Sequence, residues 1–179
     1  MDSKVVVALV SVSLGWTLSQ LTEFLREKRK TKKIREAFDA ELEDMAIKLE
    51  NAVKKCTDYR DNLTSENSSL YVAPQPIKTI IFENYFHEVY TLFSKYERNS
   101  LTTLYGHVDH LNKRLESMDG TNTVEDFANL YSSILWAQAC IHQFQVDRNV
   151  HISEVTTEVE RVNLELMQYW NTLERKLSC

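Results

Sequence analysis

The sequence predicts an all-α protein, with a single N-terminal transmembrane helix followed by a cytoplasmic antiparallel four-helix bundle. Its 179 residues include only 3 Gly and 2 Pro, which tight turns and sheets use heavily. One long apolar run lies near the N-terminus, and apolar residues recur at helical spacing through the rest of the chain. Long helices with few connections follow from these observations.

The first element is an uncharged run of 18 residues, Val5–Thr22. A helix over 5–25 spans about 30 Å, which matches the hydrocarbon core of a bilayer. We therefore predict an extracytoplasmic tail at 1–4 and a transmembrane helix at 5–25. Two alternatives stay open. A helix buried in a soluble protein needs a polar face, which VVVALV lacks, and a cleaved signal peptide carries its positive charge before the apolar run.

A basic collar, defined as residues 26–35, follows the apolar run. Its cationic residues are Arg26, Lys28, Arg29, Lys30, Lys32, Lys33 and Arg35. Because Lys and Arg near a span stay in the cytoplasm, we predict that the N-terminus is outside and the C-terminal domain is in the cytoplasm. The collar serves either as a topology signal alone or also as a contact for anionic lipid headgroups.

Small residues recur on one face of the predicted span, at Ser11, Gly15, Ser19 and Thr22. At a spacing of three or four residues they let two helix backbones approach closely. We expect self-association through this face, which makes the protein a homo-oligomer. The alternative is that a weakly hydrophobic span contains Ser and Gly by chance.

The cytoplasmic bundle is predicted at 36–179. Its first helix carries an apolar a/d stripe, Phe38, Leu42, Met45, Leu49, Ala52, Cys56, Tyr59 and Leu63. Three and a half heptads are short for a self-standing coiled coil, so we favour packing within a bundle over a parallel dimer. A polar linker at 64–76 follows. Leu70, Tyr71 and Val72 in this linker either cap the bundle or contact a partner.

The next helix is predicted at 77–118, with a kink or break near Asn99–Ser100 that would make the bundle five-helical. Its first half is rich in aromatic residues from Phe82 to Tyr96. An apolar arc of this width is typical of a central helix or of a second contact surface. Tyr85, Phe93 and Tyr96 are therefore candidate partner contacts.

Two more amphipathic helices complete the predicted bundle. The turn before them offers Gly120 as a C-cap and Thr121 or Thr123 as an N-cap. The third helix presents Val124, Phe127, Tyr131, Ile134, Gln138 and Ile141 on one face, and the fourth presents Val155, Val159, Val162, Leu166, Tyr169, Leu173 and Leu177. Their short connection predicts antiparallel neighbours.

The sequence contains no catalytic or cofactor motif. It has no glycine-rich phosphate loop, G-x-S-x-G, H-E-x-x-H or C-x-x-C. His107 and His110 lack the Glu-x-x-His pattern of bundle di-iron sites, so we interpret them as surface histidines. Cys56 falls on the apolar stripe and is interpreted as a small buried residue. We predict no enzyme activity, no metal and no cofactor.

The charge distribution bears on the class of partner. The net charge is −5 although the collar is strongly basic, so the rest of the chain is acidic and poorly suited to bind nucleic acid. We predict a non-enzymatic interaction or tethering protein that is held by the lipid bilayer and binds a protein partner of unknown identity. The alternative function is a membrane-perturbing effector of toxin or defence type, whose transmembrane helices cluster when the bundle assembles.

Overall fold

The computed structural model describes the backbone of residues 3–62, 73–118 and 123–177 and the side chains of residues 11–62, 73–118 and 123–176. Within these ranges the chain forms five α-helices and no strand. The helices are α1 (Ser3–Asn62), α2 (Ile80–Val89), α3 (Lys95–Ser117), α4 (Val124–Val146) and α5 (Thr156–Leu177). Two 3-10 turns, Tyr90–Leu92 and Ile152–Glu154, precede α3 and α5. The predicted helical bundle is therefore confirmed.

α1 runs without interruption for 60 residues, which is about 90 Å of helix. No Gly or Pro occurs between Gly15 and Pro74, so the predicted boundaries at 25 and 35 correspond to no change in the backbone. The second half of α1 belongs to the bundle. There the predicted stripe is confirmed from Phe38 to Cys56, which are buried together with Leu42, Met45, Leu49 and Ala52. Leu63 lies outside the described residues.

Successive helices alternate in direction. Each direction is fixed by two contacts made from α1. Those to α2 are Lys30–Glu88 and Glu41–Phe82, and those to α3 are Arg35–Glu97 and Glu41–Tyr105. Those to α4 and the residues just after it are Tyr59–Phe127 and Asp39–Arg148, and those to α5 are Cys56–Tyr169 and Asp61–Lys176. α3 and α5 therefore run parallel to α1, and α2 and α4 run antiparallel to it. The end of the bundle from which the collar emerges is termed the collar end.

α4 lies at the centre of the bundle. Thirteen of its 23 residues are buried, and it packs against α1, α3 and α5. Small side chains make this possible, because Ala128, Ser133, Ala137, Ala139 and Cys140 let neighbouring helices approach from several sides. The sequence predicted one apolar face for this helix, and the structure buries most of its circumference.

The break before α3 differs from the prediction. It lies at 90–94, and Asn99–Ser100 falls inside continuous helix. The Ser94 hydroxyl accepts a hydrogen bond from the Glu97 amide at 3.1 Å, and the Glu97 carboxylate accepts one from the Ser94 amide at 2.8 Å. This reciprocal capping box is an S-x-x-E pattern, and it fixes where α3 begins.

The segment 73–79 has no regular secondary structure and is joined to α3 at Ile77, so α2 begins at Ile80 rather than at the predicted Ile77. The Asn112 side chain binds both backbone groups of Ile77, accepting from its amide at 2.9 Å and donating to its carbonyl at 2.8 Å. Pro74 and Ile77 are buried at this attachment. Asn112 thereby sets the position from which α2 returns toward the collar end.

The last two helices agree with the predicted pattern. Thr123 is the N-cap of α4, and Asp126 completes a capping box with it. Val162, Tyr169 and Leu173 of the α5 stripe are buried. Gly120 and Thr121 lie outside the described residues.

Candidate functional site

The N-terminal part of α1, over the residues whose side chains are described, lies outside the bundle. Residues 11–30, here termed the exposed arm, have every side chain exposed. The large apolar residues among them are Val12, Leu14, Trp16, Leu18, Leu21, Phe24 and Leu25. Apolar side chains at this density normally lie against a partner surface or a membrane. The arm is therefore the strongest candidate for an interaction site in the described part of the chain.

The basic collar begins in the exposed arm and ends in the bundle. Lys30 Nζ lies 2.6 Å from the Glu88 carboxylate of α2, and Arg35 lies 3.2 Å from the Glu97 carboxylate of α3. The hydrogen bond that Lys30 donates to Glu88 raises the pKa of Lys30. The Arg35 guanidinium also lies over the Phe93 ring, at 5.6 Å from its centre. These contacts attach the collar to the turn between α2 and α3.

The rest of the collar is available to an external anion. Lys32 lies 3.7 Å from Glu36 on the same exposed helix surface. Among the described residues no acidic partner is found for Arg26, Lys28, Arg29 and Lys33. Four of the collar's seven cationic residues are therefore without an ion pair in the part of the chain that the structure describes.

The predicted small-residue face is open along the exposed arm. Ser11, Gly15, Ser19 and Thr22 are all exposed, and a Cβ atom added at Gly15 would meet nothing within 4 Å. The Thr22 hydroxyl donates to the Leu18 carbonyl at 2.8 Å, so its polarity is partly satisfied within the helix. A second helix can approach this face freely, and self-association stays a prediction.

The candidate partner contacts separate into surface and core residues. Tyr85 and Tyr96 are 39% and 48% exposed, whereas Phe93 is 5% exposed. The Phe93 ring packs against the rings of Phe38 and Phe86, at centroid distances of 5.6 and 6.1 Å. Its side chain therefore belongs to the core. Tyr85 and Tyr96 stay candidates, and Leu70, Tyr71 and Val72 lie outside the described residues.

Glu41 joins three helices, a role that the sequence reasoning missed. Its carboxylate accepts hydrogen bonds from the Ile81 amide at 2.7 Å and the Phe82 amide at 3.2 Å, at the start of α2. It also accepts from the Tyr105 hydroxyl of α3 at 2.7 Å. A carboxylate is favourable at a helix N-terminus, where free amides point outward. The available signal was its position next to Leu42, at the edge of the apolar stripe.

Tyr105 is held in this group from two sides. Its ring stacks on Phe82 at a centroid distance of 3.8 Å. Burial, and then the hydrogen bond to Glu41, raise the pKa of Tyr105 well above its usual value. The tyrosine is therefore a permanent hydrogen-bond donor to Glu41, and the arrangement is that of a structural joint between helices.

A second tyrosine group lies toward the far end of the bundle. Tyr131 donates to Glu165 at 2.6 Å and stacks on Tyr169 at 4.0 Å. Tyr169 donates to the Cys56 carbonyl at 3.3 Å. Burial raises the pKa of both tyrosines, so they act as neutral donors that join α1, α4 and α5.

Packing within the bundle determines the surroundings of the histidines and thiols. His107 is half-buried and stacks on Trp136 at 6.2 Å, which corrects its interpretation as a surface residue; His110 is exposed. Burial and the neighbouring His110 lower the pKa of His107. Cys56 is buried as predicted, and burial raises the pKa of the Cys140 thiol to about 12. In the ranges that the structure describes, no three His, Cys, Asp or Glu residues are grouped to hold a metal.

None of the helices, over the residues that are described, combines the length and the apolar character that a bilayer crossing requires. The predicted transmembrane span is thus unsupported by the structure. Its residues 5–10 lie outside the described side chains. Comparisons with models of protein families, with curated proteins and with solved structures give no match.

Proposed function

We propose that this chain is a non-enzymatic tethering protein, anchored in a membrane by the start of α1, with its helical bundle on the cytoplasmic side. One observation carries the proposal. The exposed arm is a helix whose side chains are all exposed, it is rich in large apolar residues, and it ends in a basic collar. A bilayer offers apolar and anionic surroundings in that same order.

Length supports the anchor. The apolar residues of the arm are preceded by VVVALV at 5–10, and a helix over 5–25 has about the length of the hydrocarbon core. The collar then lies at the cytoplasmic headgroups, which leaves the tail at 1–4 on the opposite side. In this arrangement the arm's apolar side chains leave water.

Tethering requires a protein-binding surface on the bundle, and Tyr85 is the best candidate. It is an exposed aromatic residue, a residue type enriched at protein interfaces. Ile80 at the start of the same helix is also exposed, at 54%. The buried tyrosines and Glu41 are engaged in helix contacts, which favours a binding role for the bundle over a catalytic one.

The anchor is tested by substituting Leu14→Lys and Leu18→Lys together in the full-length protein. A cationic residue at the centre of a membrane helix costs about 2.5 to 3.5 kcal/mol. We expect the unmodified protein to stay with membranes after a wash at alkaline pH and the double variant to become soluble. Ile47→Lys is the matched control, because Ile47 is 60% exposed on the bundle half of α1. A wild-type protein that washes off the membranes contradicts the anchor.

Self-association is a separate part of the proposal and rests on the small-residue face. Gly15→Leu fills the open position at the centre of this face, and Ser13→Leu adds the same side chain on another side of α1. We expect Gly15→Leu alone to lower the mass measured by light scattering of the full-length protein in detergent. An unchanged mass contradicts association through this face.

The alternative function, a membrane-perturbing effector, also depends on the small-residue face. A measurement of the membrane potential of expressing cells distinguishes it from tethering. If clustered helices perturb the bilayer, expression of the unmodified protein depolarises cells and Gly15→Leu abolishes the effect. If the protein is a tether, neither the unmodified protein nor the variant changes the potential.

A further inference from the structure

We propose that the bundle itself docks on the membrane, through the turn between α2 and α3 and onto an anionic phospholipid surface. The docking turn is defined as residues 90–96. The inference rests on the proposed anchoring of α1 and adds a second contact, which fixes how the bundle is oriented above the bilayer.

The docking turn lies beside the collar. Its two flanks are bound to collar residues, because Lys30 contacts Glu88 at 2.6 Å on one side and Arg35 contacts Glu97 at 3.2 Å on the other. The buried Phe93 ring beneath Arg35 attaches the centre of the turn to the core. The turn is therefore held at a fixed height along α1.

The outer surface of the docking turn combines exposed apolar and aromatic side chains with cationic ones. Tyr90, Leu92 and Tyr96 are 45%, 42% and 48% exposed. The Arg98 guanidinium lies over the Tyr90 ring at 4.4 Å, and Lys95 is exposed beside Tyr96. Aromatic residues combined with cationic ones are typical of protein segments at the lipid headgroup level.

The height of the turn matches the thickness of the headgroup region. Five residues of helix separate Leu25, at the end of the predicted span, from Lys30, which is about 7 Å. The headgroup region on one side of a bilayer is about 5 to 8 Å thick. The flank of the turn at Lys30 therefore lies at the outer edge of the headgroup region, whereas the flank at Arg35 lies about 15 Å from Leu25.

The distribution of charge favours an anionic lipid surface. It also favours the docking turn over the other connection at the collar end as the part that contacts this surface. Arg26, Lys28, Arg29 and Lys33 have no acidic partner among the described residues and lie on the same stretch of α1. The other connection at the collar end carries the exposed Asp147 and Glu154. Arg148 joins that connection to Asp39, nine residues beyond Lys30 and so about 13 Å farther along α1. Its acidic groups are thus kept away from the surface.

The test places a tryptophan in the docking turn of the full-length protein and measures its quenching by brominated lipid in vesicles. Trp16→Phe removes the tryptophan of the exposed arm. In that background Leu92→Trp reports on the docking turn, and Ile47→Trp reports on an exposed site in the bundle half of α1. Trp136 and Trp170 are present in every variant and cancel in the comparison.

We expect L92W fluorescence to be quenched at least twofold more than I47W fluorescence in vesicles of phosphatidylcholine with phosphatidylserine. Lys28→Glu with Arg29→Glu should remove that difference. Equal quenching of the two variants overturns the docking proposal. Tyr96→Trp repeats the measurement four residues along, in case the substitution at Leu92 perturbs the turn.

The same vesicles separate this proposal from the anchor on which it rests. Bromine near the bilayer centre should quench Trp16 in the otherwise unmodified protein, because Trp16 lies near the middle of 5–25. If Trp16 is quenched and L92W is not, the anchor holds and the docking proposal fails. If Trp16 is not quenched, both the anchor and the docking proposal fail.

Discussion

The two halves of α1 share one continuous backbone and differ in everything that surrounds it. From residue 11 to 30 every side chain is exposed, and from Phe38 to Cys56 a heptad stripe is buried against α2, α3, α4 and α5. Both halves are rich in apolar residues. What differs is their arrangement, because the bundle half concentrates them on one side, while the arm spreads its large apolar residues over about two thirds of its circumference and leaves the small-residue face between them.

The comparison shows how patterning assigns an environment to a helix. A one-sided stripe is satisfied by other helices of the same chain. An apolar surface as wide as that of the arm needs surroundings that no single neighbouring helix supplies. We expect the bundle half to respond to substitutions through folding stability and the arm to respond through membrane association.

The largest expected effect comes from truncating one leucine in each half. Leu49 is fully buried, and Leu18 is 61% exposed. Leu49→Ala should lower the free energy of unfolding by about 2 to 5 kcal/mol, since it leaves a cavity in a packed core. Leu18→Ala should change it by less than about 0.5 kcal/mol. Urea unfolding followed by circular dichroism measures both, and equal effects would show that the arm packs on the bundle.

The next effect concerns the joint at Glu41. Glu41→Gln replaces a charged acceptor of three hydrogen bonds and should lower the free energy of unfolding by about 1 to 3 kcal/mol. Glu43→Gln, two residues along on the exposed side of α1, is the matched control and should be nearly neutral. Hydrogen exchange should show faster exchange of the α2 amides only in the Glu41 variant. Unchanged α2 exchange would contradict the joint.

A smaller effect is expected at the α3 capping box. Ser94→Ala removes the acceptor for the Glu97 amide and should lower the free energy of unfolding by about 1 kcal/mol. Thr91→Ala, in the same turn but outside the cap, should have little effect. Membrane association should be the same for both variants, because both keep the arm and the exposed Tyr90, Leu92 and Tyr96 of the docking turn. A loss of vesicle binding in Ser94→Ala alone would mean that folding and anchoring are coupled.

The smallest effect is a pH dependence confined to the bundle. The pKa of His107 is lowered in the folded state, so the unfolded chain binds a proton more readily. Its stabilising contribution is complete above the ordinary pKa of about 6.5 and is lost as pH falls from there through the lower native value. His107→Gln should flatten this part of the stability profile, measured by urea unfolding between pH 7.5 and 5. The arm contains no histidine.

Much of the fold could be predicted because helices are encoded locally. The stripe of α1 and the α5 residues Val162, Tyr169 and Leu173 follow from spacing alone, and the N-cap at Thr123 is one of the two threonines that the turn offers. The break before α3 lies at the S-x-x-E pattern of Ser94 and Glu97 and not at the change of apolar phase near Asn99–Ser100. The capping box, which is a local signal, decides where this helix begins.

The remaining differences depend on which helices become neighbours. The aromatic segment around α2 was a candidate for the bundle centre, yet α2 lies at the edge and α4, with its alanines, lies at the centre. Apolar content does not distinguish these positions, whereas small side chains that permit close approach do. Phe93 is buried and Tyr96 is exposed because their burial also depends on which helices lie beside them. The role of Glu41 depends on where α2 starts, which Asn112 decides from another helix.

The unbroken length of α1 also fixes a rotational phase. Nineteen residues of helix lead from Ser19 to Phe38, so these members of the small-residue face and the bundle stripe point about 100° apart around one axis. Two chains that pair through the small-residue face would therefore have no freedom in the direction their bundles face. One residue inserted near the collar would turn the bundles by about 100°, whereas seven would restore them to within about 20°. The number of residues in α1 between the small-residue face and the bundle stripe would therefore determine how the bundles of such an assembly are oriented.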